Sequence, residues 1–439
     1  MDYPEALRFL DWFVNREATA GRIHGLSLDA MWGLVATMGD PQADLRAIHV
    51  TGTNGKGSVV GMAGGLLTAN GLRVGAYSSP HVDTIRERLL LGGEMITEDE
   101  FGDLIGGVAH YAQVAPETPS YFELLTAAAL LWFSNEAVDA ALVEVGLLGR
   151  FDATNVVDAE VVVVTNVGRD HTDGRGEWRR AVAGEKAGIV VEGHPLVLGE
   201  PSADVYDLFV SEGAEPVFVR GEDFGVENTR LAVGGQVVSL WGPYSHHREV
   251  YLPMYGPGQA DNAAAALTAV EAFLGGPLGD DAVAEGLGGF ALPGRMEVLA
   301  RRPLVVVDGA HNKDAARHLA LSISEAFTAS RLILVLGVLD PHDPTEIIDE
   351  LSALSPEVVV TCTAPSGRAV PAELLAAAGA DRGLEVEVVP EPTDAVTRAV
   401  GLAGEDDLVL VAGTFYIVSP ARRAVSVLGV QEGREEGEF

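Results

Sequence analysis

Thr51-Gly52-Thr53-Asn54-Gly55-Lys56-Gly57-Ser58 places glycines, hydroxyls and a lysine between an apolar run and the helical run Val59 to Asn70. Such a loop turns successive backbone N–H groups and a helix N-terminus toward phosphate oxygens, while the lysine ammonium reaches the terminal phosphates. The spacing departs from the common pattern, since Val50 replaces the first glycine and Gly57 intervenes before Ser58. A plain strand-to-helix turn would also use glycine and asparagine for positive φ, but it would leave the lysine without a task. The segment is read as a nucleotide phosphate site.

Glu144 ends another apolar run, on the sheet edge that the glycine loop occupies, where Mg²⁺ carried by ATP takes hard oxygen ligands. A solvated strand-end acid is the alternative. Ser79 and His171 follow further strand-like runs. Ser79 suits magnesium, whereas imidazole is an uncommon ligand for that ion and a lone histidine is more often structural. Of 29 Lys+Arg only Lys56, Lys186 and Lys313 are lysine. A chain that prefers arginine so strongly keeps lysine where a compact or deprotonatable ammonium is needed. An ordinary surface cation is the other reading of Lys186, and Lys313 reads as a surface residue at a helix start.

The elements that position these residues alternate as strands and helices. Strands are expected at Ala47 to Thr51, Val74 to Ser78, Ala140 to Val145 and Val161 to Asn166, with helices after Gly57 and from Phe122 to Asn135. In parallel sheets ligands gather at the carboxyl ends of strands, where the polar clusters fall. Pro195 to Pro253, with short alternating runs, reads as a peripheral antiparallel excursion. A second series follows: strand Leu304 to Asp308, a helix from Asp314, and strands Leu332 to Val338, Glu357 to Thr361 and Leu408 to Ala412. Gly286 to Arg295 is the candidate hinge. The expected fold is α/β: a P-loop ATPase domain with a mainly parallel sheet over 1–290, a smaller Rossmann-like α/β C-terminal domain over 291–430, and a disordered acidic tail over 431–439.

Composition narrows the function classes. At 439 residues, burying two cores is no difficulty, and 29 Lys+Arg against 64 Asp+Glu leave a formal net charge of −35, which repels nucleic acid. Phosphate must therefore be met by a local site. The single cysteine, Cys362, excludes an internal disulfide, and the charged residues within 1–13 are unlike a signal peptide, so the cytoplasm is expected. Leu124 to Phe133 is too short to cross a bilayer, and no membrane partner is expected. The acidity fits a salty cytoplasm or a compositional bias; activity across salt concentrations separates the two.

The Lys-Gly-Ser version of the glycine loop resembles the dihydrofolate synthase and folylpolyglutamate synthase family of the Mur ligase superfamily. The similarity continues through Tyr77-Ser78-Ser79-Pro80-His81, Arg86-Glu87-Arg88, Ser120-Tyr121-Phe122-Glu123, Val143-Glu144-Val145-Gly146, Arg150-Phe151-Asp152-Ala153-Thr154-Asn155, Asp170-His171-Thr172-Asp173, Glu185-Lys186-Ala187-Gly188, Leu292-Pro293-Gly294-Arg295 and Asp308-Gly309-Ala310-His311-Asn312. Each motif is short; their shared order over most of the chain is specific.

The resemblance implies ATP held by Gly52, Thr53, Asn54, Gly55, Lys56, Gly57 and Ser58, with Asn262 at the adenine, Arg295 and Asp308 at phosphate and ribose, and His311 close by. It implies Mg²⁺ on Ser79, Glu144 and His171, and a carbamate on Lys186, an anion that can help hold magnesium where a bare ammonium would be repelled. Lys56, Lys186, Glu144 and His171 are thus the catalytic candidates. For an acyl substrate it nominates Ser120, Tyr121, Phe122, Glu123, Phe151, Asp152 and Ala153: Phe122 offers a flat face for a pterin or aryl ring, and Asp152 can accept a heterocycle's N–H.

Three departures stand out. Leu148 in Gly146-Leu147-Leu148-Gly149-Arg150 occupies a position where the family has glycine, Gly258-Gln259 replaces a His-Gln pair, and Arg169 stands beside the expected metal histidine. The reaction implied is an ATP-dependent amide ligation. The carboxylate of dihydropteroate or a reduced folate attacks the γ-phosphate, and L-glutamate captures the acyl phosphate in an interdomain cleft that Arg295 completes on closure. A monomer working on small molecules alone is expected. Another Mur-type amide ligase, or a noncatalytic nucleotide-gated binding module, is the alternative.

Overall fold

Ala47–Thr51, sequence AIHVT, is short, partly β-branched and wholly buried, and it forms an interior strand, β1, of an eight-stranded sheet. The other strands are β2 (Val74–Tyr77), β3 (Leu89–Leu91), β4 (Glu94–Met95), β5 (Ala140–Glu144), β6 (Val161–Val164), β7 (Leu196–Leu198) and β8 (Val217–Val219), in the order β4-β3-β2-β5-β1-β6-β7-β8. From β2 to β8 neighbours run parallel; β3 and β4 add an antiparallel edge. Continuous apolar runs suit strands covered on both faces, and β1, β2, β5, β6 and β7 are buried throughout. The computed structural model describes residues 1–15, 27–169, 176–290 and 292–429.

The chain divides into two units, Met1–Pro253 with Pro257–Ala291, and Met254–Gly256 with Leu292–Phe439. In the first, the Lys56–Ala69 helix follows β1 directly, and the Tyr121–Asn135 helix buries Leu124, Leu125, Ala128 and Phe133 against the sheet. Each such large side chain contributes roughly 1.5–3 kcal/mol relative to exposure. Among the described residues no helix is long and apolar enough to cross a membrane.

Pro195 to Pro253 corrects one expectation. Its first two strands, β7 and β8, extend the main parallel sheet, because Leu196–Leu198 is an apolar run that pairs with β6. Only β9 (Gly225–Ala232), β10 (Gly235–Trp241) and β11 (His246–Leu252) form the separate antiparallel sheet. Within the segment read as the candidate hinge, Gly286 to Gly288 complete the Asp280–Gly288 helix, whose apolar face buries Val283 and Leu287.

The second unit holds a six-stranded sheet, β12 (Glu297–Arg301), β13 (Leu304–Val307), β14 (Leu332–Leu336), β15 (Val358–Thr361), β16 (Val386–Val388) and β17 (Leu408–Ala412), ordered β12-β13-β17-β14-β15-β16. All pairs are parallel except β12 with β13. The edge strands β12 and β16 were not expected from the sequence. Lys313 begins the Lys313–Ala326 helix as a half-exposed residue 3.9 Å from Glu350. The 431–439 segment lies outside the described residues.

Candidate active site

The glycine loop leaves β1 and returns into the Lys56–Ala69 helix through Gly55, whose φ of +87° is the left-handed conformation that glycine adopts without penalty. The segment after β6 braces it. Thr53 N–H donates to the Asn166 carbonyl at 3.0 Å and Asn54 N–H to Asn166 Oδ1 at 3.0 Å. Thr165 Oγ1 and Asn166 Nδ2 donate to the Asn54 carbonyl at 2.6 and 2.9 Å. The N–H groups of Thr53 and Asn54 therefore shape the loop, and Gly55 leads from it into the first helical turn. Lys56 Nζ arches back to the Gly52 and Thr53 carbonyls at 3.1 and 3.4 Å, which holds it against the loop. Ser58 is fully buried, and its Oγ has no hydrogen-bond partner among the described residues.

Glu144 ends β5 beside this loop, in register with Val50 of β1. Only 4% exposed, its Oε2 accepts the Ser79 N–H at 3.2 Å and lies 3.4 Å from where a side chain on Gly57 would begin. A carboxylate oxygen and the Ser79 backbone N–H thus meet beside the first turn of the Lys56–Ala69 helix. The Glu144 carboxylate is a hard oxygen donor that fits magnesium, which binds through one or two carboxylates, substrate phosphates and water. Among the described residues no three of His, Cys, Asp and Glu cluster as a metal site. His171, with the rest of Asp170 to Asp173, lies outside the described residues.

Asn262, on the Pro257–Leu274 helix, also reaches the loop: its Oδ1 lies 2.5 Å from where a Cβ on Gly55 would stand. Gln259 Oε1 accepts from its Nδ2 at 3.1 Å. Lys186 is 0% exposed on the Trp178–Ala187 helix, which removes the surface-cation reading. The Gly149-Arg150 turn packs on that helix: Arg150 N–H donates to the Glu185 carbonyl at 2.8 Å, and a side chain on Gly149 would begin 3.1 Å from Lys186 Cα. Burial of an ammonium is costly unless it is paired or chemically changed.

The acyl-substrate candidates separate into two groups. Ser120 and Glu123 form a capping box at the start of the Tyr121–Asn135 helix, so their polar groups serve the helix end, and Tyr121 is buried. Phe122 and Asp152 flank the loop after β5. The Phe122 ring occupies the space a Gly146 side chain would need, with Cζ 2.3 Å from that position. Asp152 is 5% exposed; Oδ2 accepts the Leu147 N–H at 2.7 Å, while Oδ1 accepts from Thr154 N–H and Oγ1 at 3.0 and 2.5 Å. Burial raises its pKa, and these hydrogen bonds oppose the shift. Phe151 is exposed at 41%, and Ala153 is buried at the start of the following 3₁₀ turn.

In the second unit, Asp308 follows β13 and accepts the Met296 and Ala310 N–H groups at 2.8 Å each. Burial raises its pKa against the opposing charge of Arg295. Arg295 lies 4.3 Å over the Phe415 ring. His311 Nδ1 donates to the Gly309 carbonyl at 2.9 Å, and its ring stands edge-on to His342 with centroids 5.3 Å apart. Three neighbouring strands, β13, β17 and β14, therefore lead into His311, Phe415 and His342. Phe415 and His342, which contact Arg295 and His311, are not among the candidates read from the sequence.

Residues 50–270 match the Mur ligase middle domain and residues 294–415 the Mur ligase glutamate ligase domain. The dihydrofolate synthase/folylpolyglutamate synthase of Mycobacterium tuberculosis is 36% identical over 415 residues, covering 87% of this chain and 84% of that protein. The structure of the Mycobacterium tuberculosis folylpolyglutamate synthase complexed with ADP and AMPPCP superposes with a TM-score of 0.87 at 32% identity, covering 97% of this chain and 99% of that one. A bifunctional folylpolyglutamate synthase/dihydrofolate synthase with Mn, AMPPNP and L-glutamate bound has a TM-score of 0.83 at 28% identity, covering 97% and 98%.

Proposed function

The chain belongs to the dihydrofolate synthase/folylpolyglutamate synthase family of Mur ligases, and from that premise we propose that it joins L-glutamate to dihydropteroate, to a folylpolyglutamate, or to both, at the expense of ATP. The observation that carries the reading is the meeting of the Lys56 loop, Glu144, Ser79 and Asn262 at one edge of the first sheet, in a chain whose 294–415 segment matches a glutamate ligase domain.

Carboxylates are poor electrophiles. In this reading the substrate carboxylate attacks the γ-phosphorus of ATP, ADP leaves, and the acyl phosphate formed is attacked by the glutamate amine with release of phosphate. Two anions must meet, so the chain's first task is charge neutralisation and alignment. Lys56 supplies a fixed positive charge at the loop, and the Gly55 to Ser58 turn orients the phosphates. Glu144 and Ser79, with His171 as the further candidate, would hold Mg²⁺, which supplies charge neutralisation on the phosphate oxygens when bound. Asn262 is assigned to the nucleotide, as are Arg295, Asp308 and His311 of the second unit. Phe122 and Asp152 are assigned to the pteroate ring. A carbamate on Lys186 would exchange a buried cation for an anion suited to magnesium.

The enzyme is read as a cytoplasmic monomer acting on small molecules, in keeping with a net charge of −35 and a single cysteine. The deciding experiment supplies ATP and labelled glutamate with dihydropteroate, tetrahydrofolate or a muramyl nucleotide, and weighs the products. A mass gain of one or more glutamates on a pteroate supports the proposal. Product only from the muramyl nucleotide points to another Mur-type ligase, and ATP consumption indifferent to any acceptor points to a nucleotide-gated module; either result overturns it.

A further inference from the structure

β1 carries a histidine that none of these steps uses. His49 is 0% exposed and stands two residues before Thr51, on the same face of the strand. Both side chains bond to the segment after β5: Thr51 Oγ1 donates to the Leu148 carbonyl at 2.7 Å, and His49 Nε2 lies 2.9 Å from Thr154 Oγ1. From Thr154 the chain of bonds runs to Asp152 Oδ1 at 2.5 Å and, through Oδ2, to the Leu147 N–H at 2.7 Å.

The direction of these bonds follows from counting protons. A threonine hydroxyl has one hydrogen, and a carboxylate has none to give. The short charge-assisted bond to Asp152 takes the hydroxyl proton. With Asp152 ionised, Thr154 Oγ1 is then an acceptor toward His49, which is the neutral Nε2–H tautomer in this arrangement. Burial agrees, pushing the imidazole pKa down to about 3. Nδ1 is buried with no hydrogen-bond partner among the described residues. A leucine would fill this space without that cost, so the ring's value lies in its one donor.

We propose that His49 is a positioning residue for the acyl substrate: through Thr154 it fixes the Asp152 carboxylate and the Gly146–Arg150 loop, tying the substrate side to the strand that delivers the phosphate loop. The inference rests on the ligase reading above. Asp152 spends one oxygen on Thr154 and the other on Leu147, so losing the histidine removes the bond that ties Thr154, and with it Asp152 and the loop under Phe122, to His49 of β1.

The test compares His49→Leu, His49→Gln and Thr154→Val in steady-state kinetics. His49→Leu should raise KM for the pteroate substrate about tenfold, the scale of a small misalignment, while KM for ATP stays within about twofold. His49→Gln, which restores an N–H donor, should recover most of the loss. The double variant His49→Leu/Thr154→Val should be no worse than Thr154→Val alone. In ¹⁵N spectra of the wild type, His49 should remain the Nε2–H tautomer from pH 5 to 9. Equal rises in both KM values, additive losses, or an imidazole that titrates in that range would overturn the proposal. If His49→Leu does not fold, His49→Gln and the spectra still decide. If the wild type makes no amide product, the ligase reading fails, while the tautomer and the coupling of the two variants in thermal unfolding still test the bonded chain.

Discussion

Gly55 and Asn262 form a matched pair: a Cβ on Gly55 would lie 2.5 Å from Asn262 Oδ1, and the glycine's φ is +87°. Backbone conformation and the overlap with Asn262 therefore both disfavour a side chain where the loop enters the Lys56–Ala69 helix. Gly55→Ala should lower kcat/KM for ATP at least about a hundredfold, because the loop must move off both constraints. Adding Asn262→Ala removes the overlap but leaves a left-handed alanine costing about 1–2 kcal/mol. Nucleotide titration of the single and double variants checks this. Full affinity in the double variant would mean that the loop does not need the conformation seen here.

Lys186 leads to a second expectation. A carbamate forms reversibly from the neutral amine and carbon dioxide, so ¹³C-bicarbonate should give the wild type a new carbonyl resonance that Lys186→Arg lacks. The arginine variant keeps the positive charge yet cannot form the anion, and it should lose turnover about a hundredfold or more. Short carboxylic acids added in solution should restore part of that activity to Lys186→Ala. A wild type without the resonance and without bicarbonate dependence would leave the lysine a buried cation.

How far the sequence was legible depends on the kind of residue. The interior strands were readable because Leu408–Ala412 is an uninterrupted apolar run, while Ala47–Thr51 is broken only by His49 and its terminal Thr51, and Ala140–Glu144 only by its terminal Glu144. The edge strands Glu94–Met95 and Val386–Val388 are two and three residues long and partly exposed, so they left no such pattern. Within the site, Lys56 and Glu144 announced themselves by position. His49 did not, because a polar residue inside an apolar strand shows no partner until the chain folds. Leu148 was visible only as a departure. It takes φ +59° itself, keeping the backbone turn and placing its side chain against the Val145–Phe209 core cluster. The left-handed conformation costs a branched residue about 1–2 kcal/mol, which that packing offsets in part.

The depressed pKa of His49 has a defined consequence for acid stability. Its ordinary value is 6.5, and in the folded chain it falls to about 3. Between those values the unfolded chain holds a proton that the folded chain does not, so stability drops as pH falls from about 6.5, by up to about 1.4 kcal/mol per unit. His49→Gln removes this contribution. Burial raises the pKa of Asp152 and Asp308, which act in the opposite sense, but both carboxyls are present in either protein. Urea midpoints measured from pH 7 to pH 4 should therefore fall less steeply for His49→Gln than for the wild type. Parallel curves would mean that His49 takes up its proton in the folded state.

Cys362 permits a measurement confined to the second unit. It follows β15, is 0% exposed, and its N–H donates to the Leu336 carbonyl at 2.9 Å. Burial, with the charge of Glu391 adding to it, pushes the thiol pKa up to about 12. Since the thiolate is the reacting form, the native protein should resist a thiol reagent at pH 8, and the slow reaction that remains should track opening of the sheet around β14 and β15. The chain has one cysteine, so the signal needs no correction for others. Increasing urea should accelerate labelling until it reaches about half the unfolded rate at the unfolding midpoint of this unit, where half the molecules are open. Immediate labelling in buffer would show that the strand end is open to solvent in the native state, contrary to the packing described.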